Sequence, residues 1–182
     1  MAKKIPYGLT DYFRIVTEDF YYVDKTKYIE DLEKTAAFLF LIRPRRFGKS
    51  LFLNMLNCYY DVKYADRFEE LFGNQYIGKH PTAEQGKYLV LRFNFSMVRA
   101  TDDKLEAAFN RHISLETAYF ASVYASYFKP DFQEQLKLIP EAAGRLEYIC
   151  LCAKEQGLSI YLLIDEYDNF TNTILSSKGN DV

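Results

Sequence analysis

The stretch from residue 37 to residue 60 constrains the fold of this chain more than any other part of its sequence. Residues 37–42 are an unbroken apolar run, as expected for a strand that is buried on both faces of a parallel sheet. A basic turn that ends in Gly-Lys-Ser at residues 48–50 follows, and apolar residues then recur at helical spacing. The sequence therefore predicts a buried strand, a turn and an amphipathic helix in succession.

This order is typical of a phosphate-binding loop, where backbone N–H groups and a helix N-terminus converge on an anion. In such a loop Gly48 allows close approach, Lys49 reaches the terminal phosphates, and the Ser50 hydroxyl binds Mg²⁺. The pattern G-x-x-x-x-G-K-[ST] requires a first glycine where this chain has Arg43. The predicted nucleotide-binding residues are Arg43, Pro44, Arg45, Arg46, Phe47, Gly48, Lys49, Ser50 and Leu51.

The three arginines of the turn leave a second interpretation open, in which Arg43, Arg45 and Arg46 form a solvated basic turn. If the loop does bind phosphate, the backbone of Arg43 must take a conformation that is open to a residue with a Cβ atom. We then expect a wider turn, with Arg45 or Arg46 contacting a phosphate or an acidic neighbour.

An acidic pair supplies a second signal far along the chain. Residues 158–164 are apolar apart from Ser159 and lead directly into Asp165 and Glu166. An aspartate at the end of a buried strand can hold Mg²⁺ through water, and a glutamate after it can accept the proton of an attacking water. We therefore predict Asp165 and Ser50 as metal-binding residues and Glu166 as the catalytic base. The alternative is ordinary capping by acidic residues after a strand.

The rest of the pattern predicts an α/β fold with a mainly parallel sheet. Residues 88–95 read as a second strand, and residues 101–103 as the cap of a long helix whose buried side includes Phe120. Pro140 suits the first turn of a further helix and Gly157 its C-terminal cap.

Residues 1–36 read as a lead-in segment before a core over residues 37–182. In the lead-in, residues 21–23 are a brief strand candidate, and residues 24–26 (Asp-Lys-Thr) can cap a helix over 27–34. The same tripeptide could instead border the nucleotide, although helix capping explains it with fewer assumptions.

Side chains elsewhere are better explained by packing than by chemistry. The two histidines lie on different elements without matching cysteines, so no zinc site is predicted, and His112 falls near the buried stripe of its helix. An aromatic run over residues 119–128 could stack nucleic-acid bases, but a helix packed on a sheet accounts for it more simply.

Composition limits the class of protein. The 182 residues are 49% hydrophobic and carry a net charge of −2, and no apolar stretch approaches the roughly 20 residues of a membrane helix. Residues 1–50 carry 10 Lys and Arg against 7 Asp and Glu, whereas residues 101–182 carry 7 Lys and Arg against 13 Asp and Glu. The sequence as a whole therefore lacks the excess of basic residues that is typical of nucleic-acid-binding proteins. Three cysteines give no even disulfide framework, and we expect reduced thiols in the cytoplasm.

Four motifs in order, "YYVDKT", "RPRRFGKSL", "YLVLRFNFS" and "YLLIDEYD", resemble the bacterial predicted AAA-ATPase-like family over nearly the whole chain. In that family the arginine-rich loop is the usual form. The resemblance implies a P-loop NTPase, a three-layer α/β/α sandwich of the additional-strand class that uses ATP and Mg²⁺. It also implies that a C-terminal nuclease-like domain often follows, through which nucleic acid could be a partner.

Carried over to this sequence, the resemblance makes the Lys49 loop the Walker A motif and the Asp165 strand the Walker B motif. The additional strand of that class should follow Glu166 and lie between residues 37–42 and 158–164. Residues 169–182 contain no such apolar run, so we expect a fragment with a vacant central place in its sheet, without hydrolytic activity by itself. Direct pairing of those two strands would refute the vacancy.

Two functions from different classes follow from these patterns. The first is an ATP-binding domain that hydrolyses ATP with Mg²⁺ in the complete protein. The second is a non-hydrolysing interaction module, whose loop arginines bind nucleic acid or another partner. The sequence assigns neither a pathway nor an oligomeric state.

Overall fold

The computed structural model describes residues 3–35, 37–44, 46–98 and 104–167. Its contacts divide the chain into two compact units, Met1–Tyr88 and Leu89–Val182, and each unit is described by itself. Within the described ranges, no helix is both long enough and apolar enough to cross a membrane.

The first unit consists of short helices around one longer helix. In chain order these are α1 (Tyr12–Thr17), α2 (Tyr28–Glu33), α3 (Lys49–Tyr60), α4 (Phe68–Phe72) and α5 (Tyr76–Lys79), with a 3₁₀ segment at Val62–Arg67. Helix α3 begins where the loop pattern predicts it, directly after Gly48.

The second unit carries a small sheet and its helices. Its elements are β1 (Tyr88–Asn94), a 3₁₀ turn (Phe95–Met97), α6 (Leu105–Val123), a 3₁₀ turn (Ala125–Tyr127), α7 (Phe132–Lys137), α8 (Ala142–Glu155) and β2 (Ser159–Asp165), with only Tyr88 assigned to the first unit. Strands β1 and β2 are neighbours in a two-stranded parallel sheet.

The predicted α/β class and parallel pairing are confirmed, and both strands lie within one residue of their predicted bounds. Gly157 follows α8 with φ +65°, the left-handed conformation that favours glycine after a helix. The predicted cap at residues 101–103 lies outside the described residues. In the described ranges the sheet has two strands, so the three-layer sandwich stays a prediction, and the vacant place predicted between residues 37–42 and 158–164 lacks its flanking strand at 37–42.

The prediction of a buried strand over residues 37–42 is wrong for this structure. None of these residues is in a strand, and Phe38, Phe40 and Ile42 are 89%, 78% and 83% exposed. An apolar run becomes a strand only when a neighbour satisfies its backbone groups, and in the described sheet β1 and β2 pair with each other. The brief strand predicted for residues 21–23 is also irregular backbone.

The lead-in segment packs into the core of the first unit through Tyr12. Its side chain is fully buried, and its hydroxyl donates a hydrogen bond of 2.9 Å to the carbonyl oxygen of Leu71. The ring lies against Tyr22 and Phe72, with centroid distances of 5.1 and 5.2 Å. Burial, and after it the nearby Tyr22, raises the pKa of Tyr12 far above its ordinary value, so the hydroxyl remains a neutral donor.

The aromatic run at the end of α6 belongs to the core of the second unit. Phe120, Tyr124 and Phe128 are buried, whereas Tyr119 and Tyr127 are exposed. The Tyr124 hydroxyl accepts a hydrogen bond of 3.1 Å from the Val90 N–H group, which ties the helix to β1. Core packing, not base stacking, therefore accounts for most of these rings.

The Asp24–Thr26 turn caps a helix, but not the predicted one. Helix α2 begins without a side-chain cap. Instead Asp24 Oδ2 accepts a hydrogen bond of 2.7 Å from the Tyr76 N–H group, and Thr26 Oγ1 accepts one of 3.1 Å from Ile77, at the start of α5. Asp24 Oδ1 accepts from the Thr26 hydroxyl at 2.7 Å and holds the two side chains together.

Replacing Thr26 by valine tests this cap. Thr26→Val keeps the shape of a fully buried side chain but leaves the Ile77 N–H group without its acceptor, so the free energy of unfolding should fall by about 1–3 kcal/mol. Urea denaturation measures the change. The matched control is Thr17→Val, where an exposed hydroxyl bonds only within its own helix; an equal loss in both variants would contradict the capping role.

Candidate functional site

The loop before α3 is a turn with two left-handed residues. The Phe47 N–H group donates to the Pro44 carbonyl oxygen at 3.4 Å. Arg46 has φ +66° and Gly48 has φ +77°, and α3 starts at the next residue, Lys49. No atom lies within 4 Å of the position that a Cβ atom on Gly48 would occupy, so the space beside this glycine is open.

Arg43 is not left-handed, so its backbone has a conformation that a residue with a Cβ atom readily adopts, and the wider phosphate-binding turn stays a prediction. The loop reaches α3 with a side chain at the position where the phosphate-loop pattern has its first glycine. The left-handed conformation falls on Arg46 instead, which the sequence pattern did not indicate.

The N-terminus of α3 is electrostatically suited to an anion. Its first helical hydrogen bond runs from the Phe52 N–H group to the Gly48 carbonyl oxygen at 2.9 Å, and the first N–H groups of a helix have no acceptor within it. Among the described residues no side chain caps this end, and its first turn contains no acidic residue. Since the partial positive charge of the helix dipole also lies here, an anion would be stabilised.

Cationic side chains lie in the loop and in the first helical turn at this end of α3. Lys49 and Ser50 are half-buried in its first turn, and Arg43 and Arg46 are exposed in the loop. Across the described ranges, none of these three cations is in an ion pair. Arg45 lies outside the described residues. The acidic neighbour that we expected for Arg46 is therefore absent in this part of the chain, while its contact to phosphate stays a prediction.

The acidic pair is at the carboxyl end of β2, in the second unit. Asp165 is the last residue of the strand and is 7% exposed. Glu166 follows with φ +56°, is half-buried, and donates its N–H group to Asp165 Oδ1 at 3.0 Å. The sharp change of direction after the strand therefore fixes the backbone of the predicted base relative to the predicted metal ligand.

Strained backbone conformations occur both in the loop before α3 and at the acidic pair. In the described ranges only Asp19, Arg46 and Glu166 are left-handed residues other than glycine. Such conformations cost on the order of 1–3 kcal/mol each and occur often at functional sites. Two of them, Arg46 and Glu166, are residues for which the sequence predicted a functional role. The sequence did not indicate that their backbones would be left-handed.

Other candidate groups do not form a site. His112 is buried against the rings of Phe93 and Phe95, as expected for a core histidine. Cys58 is buried and Cys150 is exposed, and within the described ranges neither is in a disulfide. Within the described ranges, no three His, Cys, Asp or Glu side chains are grouped so as to hold a metal ion.

Comparison with known proteins places the chain in a family. Residues 6–181 match the AAA-ATPase-like family, which is described as "Predicted AAA-ATPase", and the chain belongs to this family. No solved structure matches the chain.

One curated relative is similar over a short part. It is an uncharacterized protein in the vnfD 5' region of Azotobacter chroococcum mcd 1, 49% identical over 55 residues, which is 30% of this chain and 11% of that protein. The matched part therefore spans about a tenth of the relative's length.

The open space beside Gly48 can be tested by adding a methyl group. Gly48→Ala should lower the free energy of unfolding by about 1–2 kcal/mol, the cost of a left-handed residue with a Cβ atom. Gly8→Ala is a matched control, because Gly8 has φ +72° and equally open space. Urea denaturation should show a similar fall in the free energy of unfolding for both variants. A much larger fall for Gly48→Ala would mean that other residues lie close to Gly48.

Proposed function

We propose that this member of the predicted AAA-ATPase family binds the triphosphate of ATP, together with Mg²⁺, at the loop Arg43–Leu51. One observation carries the proposal. Left-handed Gly48 leads directly into an uncapped helix whose first turn contains Lys49 and Ser50, and no acidic residue stands there. A multiply charged anion is the ligand that such a helix end stabilises best.

The side chains of the loop have separate roles in this proposal. Lys49 contacts the terminal phosphates, and the Ser50 hydroxyl binds Mg²⁺. Arg46 and Arg43 add positive charge at the mouth of the loop, where both side chains are exposed. Leu51 lies in the first turn of α3, and Phe47 and Pro44 belong to the turn that precedes this helix.

The acidic pair supplies the chemistry that follows binding. Asp165 holds Mg²⁺ through a water molecule, and Glu166 accepts the proton of the attacking water. Family membership and the strained backbone of Glu166 support these roles. The proposed reaction is Mg²⁺-dependent ATP hydrolysis by the full-length protein, in the cytoplasm.

A Lys49→Ala variant tests the binding step. For the unmodified chain, Mg²⁺–ATP at about 100 times its Kd should raise the free energy of unfolding by about 2.7 kcal/mol, a shift that thermal melting with and without Mg²⁺ detects. Lys49→Ala should remove this shift, whereas Lys154→Ala, on an exposed face of α8, should keep it. The proposal fails if ATP gives no Mg²⁺-dependent shift.

The competing function is nucleic-acid binding by the loop arginines. Its support is the exposure of Arg43 and Arg46, neither of which has an ion-pair partner in the described ranges. Binding of an oligonucleotide through several arginines would weaken steeply with salt, whereas nucleotide binding would depend on Mg²⁺ and Lys49. Tight, salt-sensitive binding of an oligonucleotide without any ATP shift would favour this second function.

A Glu166→Gln variant separates binding from hydrolysis. The amide is close in shape to the carboxylate but cannot accept the proton, so ATP affinity should be retained while the hydrolysis rate of the full-length protein falls roughly 10²–10⁴-fold. Steady-state release of phosphate and calorimetric titration of ATP measure the two quantities. Equal hydrolysis rates in both proteins would remove Glu166 from the mechanism.

A further inference from the structure

Asn54, one turn into α3, contacts the backbone of the first turn of that helix. Its side-chain amide nitrogen donates a hydrogen bond of 2.8 Å to the Ser50 carbonyl oxygen, and the residue is half-buried. In a regular α-helix the same carbonyl oxygen also accepts the backbone N–H group of Asn54. Two donors of one residue therefore converge on the Ser50 carbonyl group.

The peptide unit that contains this carbonyl group also contains the Leu51 N–H group. The first helical hydrogen bond of α3 is donated by Phe52, so Leu51 has the last N–H group of the first turn that lacks an acceptor within the helix. The proposed function assigns this N–H group to the bound phosphates. Asn54 and the phosphates would then contact opposite ends of one peptide unit.

A hydrogen bond at one end of a peptide unit strengthens the hydrogen bond at its other end. When the carbonyl oxygen accepts, the amide is polarised further, and a bond donated by its N–H group is strengthened by about 10–30%. Hydrogen bonds to a charged acceptor such as phosphate are among the strong ones. The contribution of the Asn54 contact would therefore be largest when an anion is bound.

Helix stability does not account for the Asn54 contact. Asparagine is a poorer helix former than alanine, leucine or glutamine. A side chain that bonds to the carbonyl group one turn earlier also offers the backbone an alternative to its helical hydrogen bond. Asparagine is thus unfavourable for the helix at this position, while its amide acts on a peptide unit of the first turn.

We propose that Asn54 is a positioning residue for the phosphate-binding turn: its amide holds and polarises the Ser50–Leu51 peptide unit, so that the Leu51 N–H group binds phosphate more strongly. The inference rests on the proposed function, because it concerns the same loop and the same ligand. It adds a residue whose side chain acts on the ligand only through the backbone.

The Asn54→Ala variant separates this role from a structural one. Loss of the side-chain donor should raise the Kd for Mg²⁺–ATP about two- to fourfold, as measured by calorimetric titration. The melting temperature of the free protein should be unchanged or higher, because alanine is the better helix former. A melting temperature that falls together with the affinity would assign Asn54 a structural role and overturn the inference.

Two further variants serve as controls. Asn54→Ser keeps a donor, since a serine hydroxyl can bond to the carbonyl group one turn earlier, and it should retain the affinity for ATP. Gln135→Ala removes an exposed amide from α7 and should leave the Kd unchanged. An unchanged Kd in Asn54→Ala, or an equal loss in Asn54→Ser, would contradict the role of the donor.

An NMR measurement on the free protein tests the polarisation without ATP. In Asn54→Ala the Leu51 amide proton should resonate at lower frequency than in the unmodified protein, because its peptide unit is less polarised. An unchanged Leu51 signal would overturn the inference. A missing Mg²⁺-dependent ATP shift in the unmodified protein would overturn the proposed function instead, and the Leu51 signal would still report the effect of Asn54 on this peptide unit.

Discussion

The proposed binding of phosphate depends first on the backbone conformation of one glycine. Gly48 turns the chain into α3 with φ +77°, and in the part of the chain that the structure describes no side chain caps the first-turn N–H groups of this helix. Were an aspartate side chain bound there, its negative charge would already compensate the positive end of the helix dipole. The absence of a cap, together with Lys49 in the first turn, leaves a place where a phosphate group is favoured.

The second constraint is the parallel pairing of β1 and β2. Parallel strands bring their carboxyl ends to one edge of a sheet, which places the turn after β1 close to the acidic pair after β2. The buried Asp165 and the strained Glu166 therefore lie at this edge, inside the second unit. Because each strand is followed at once by a sharp change of direction, polar side chains accumulate at this edge.

Local patterns in the sequence were sufficient for α3, β1 and β2, whose periodicity and flanking residues agree with one another. They were insufficient for residues 37–42, since hydrophobicity shows what a segment would bury but not which strand will pair with it. They also misplaced the partner of Asp24 and Thr26, which cap a helix about 50 residues away. The left-handed residues Arg46 and Glu166 depend on the chain around them and had no signal at all.

The most direct test of the central claim is an NMR titration of the backbone amides with Mg²⁺–ATP. The amide signals of Gly48, Lys49, Ser50 and Leu51 should shift together and saturate, because these N–H groups are the ones that the helix leaves for the phosphates. Unchanged signals at these four residues, with salt-sensitive shifts at Arg43 and Arg46 on adding an oligonucleotide, would contradict nucleotide binding by this loop.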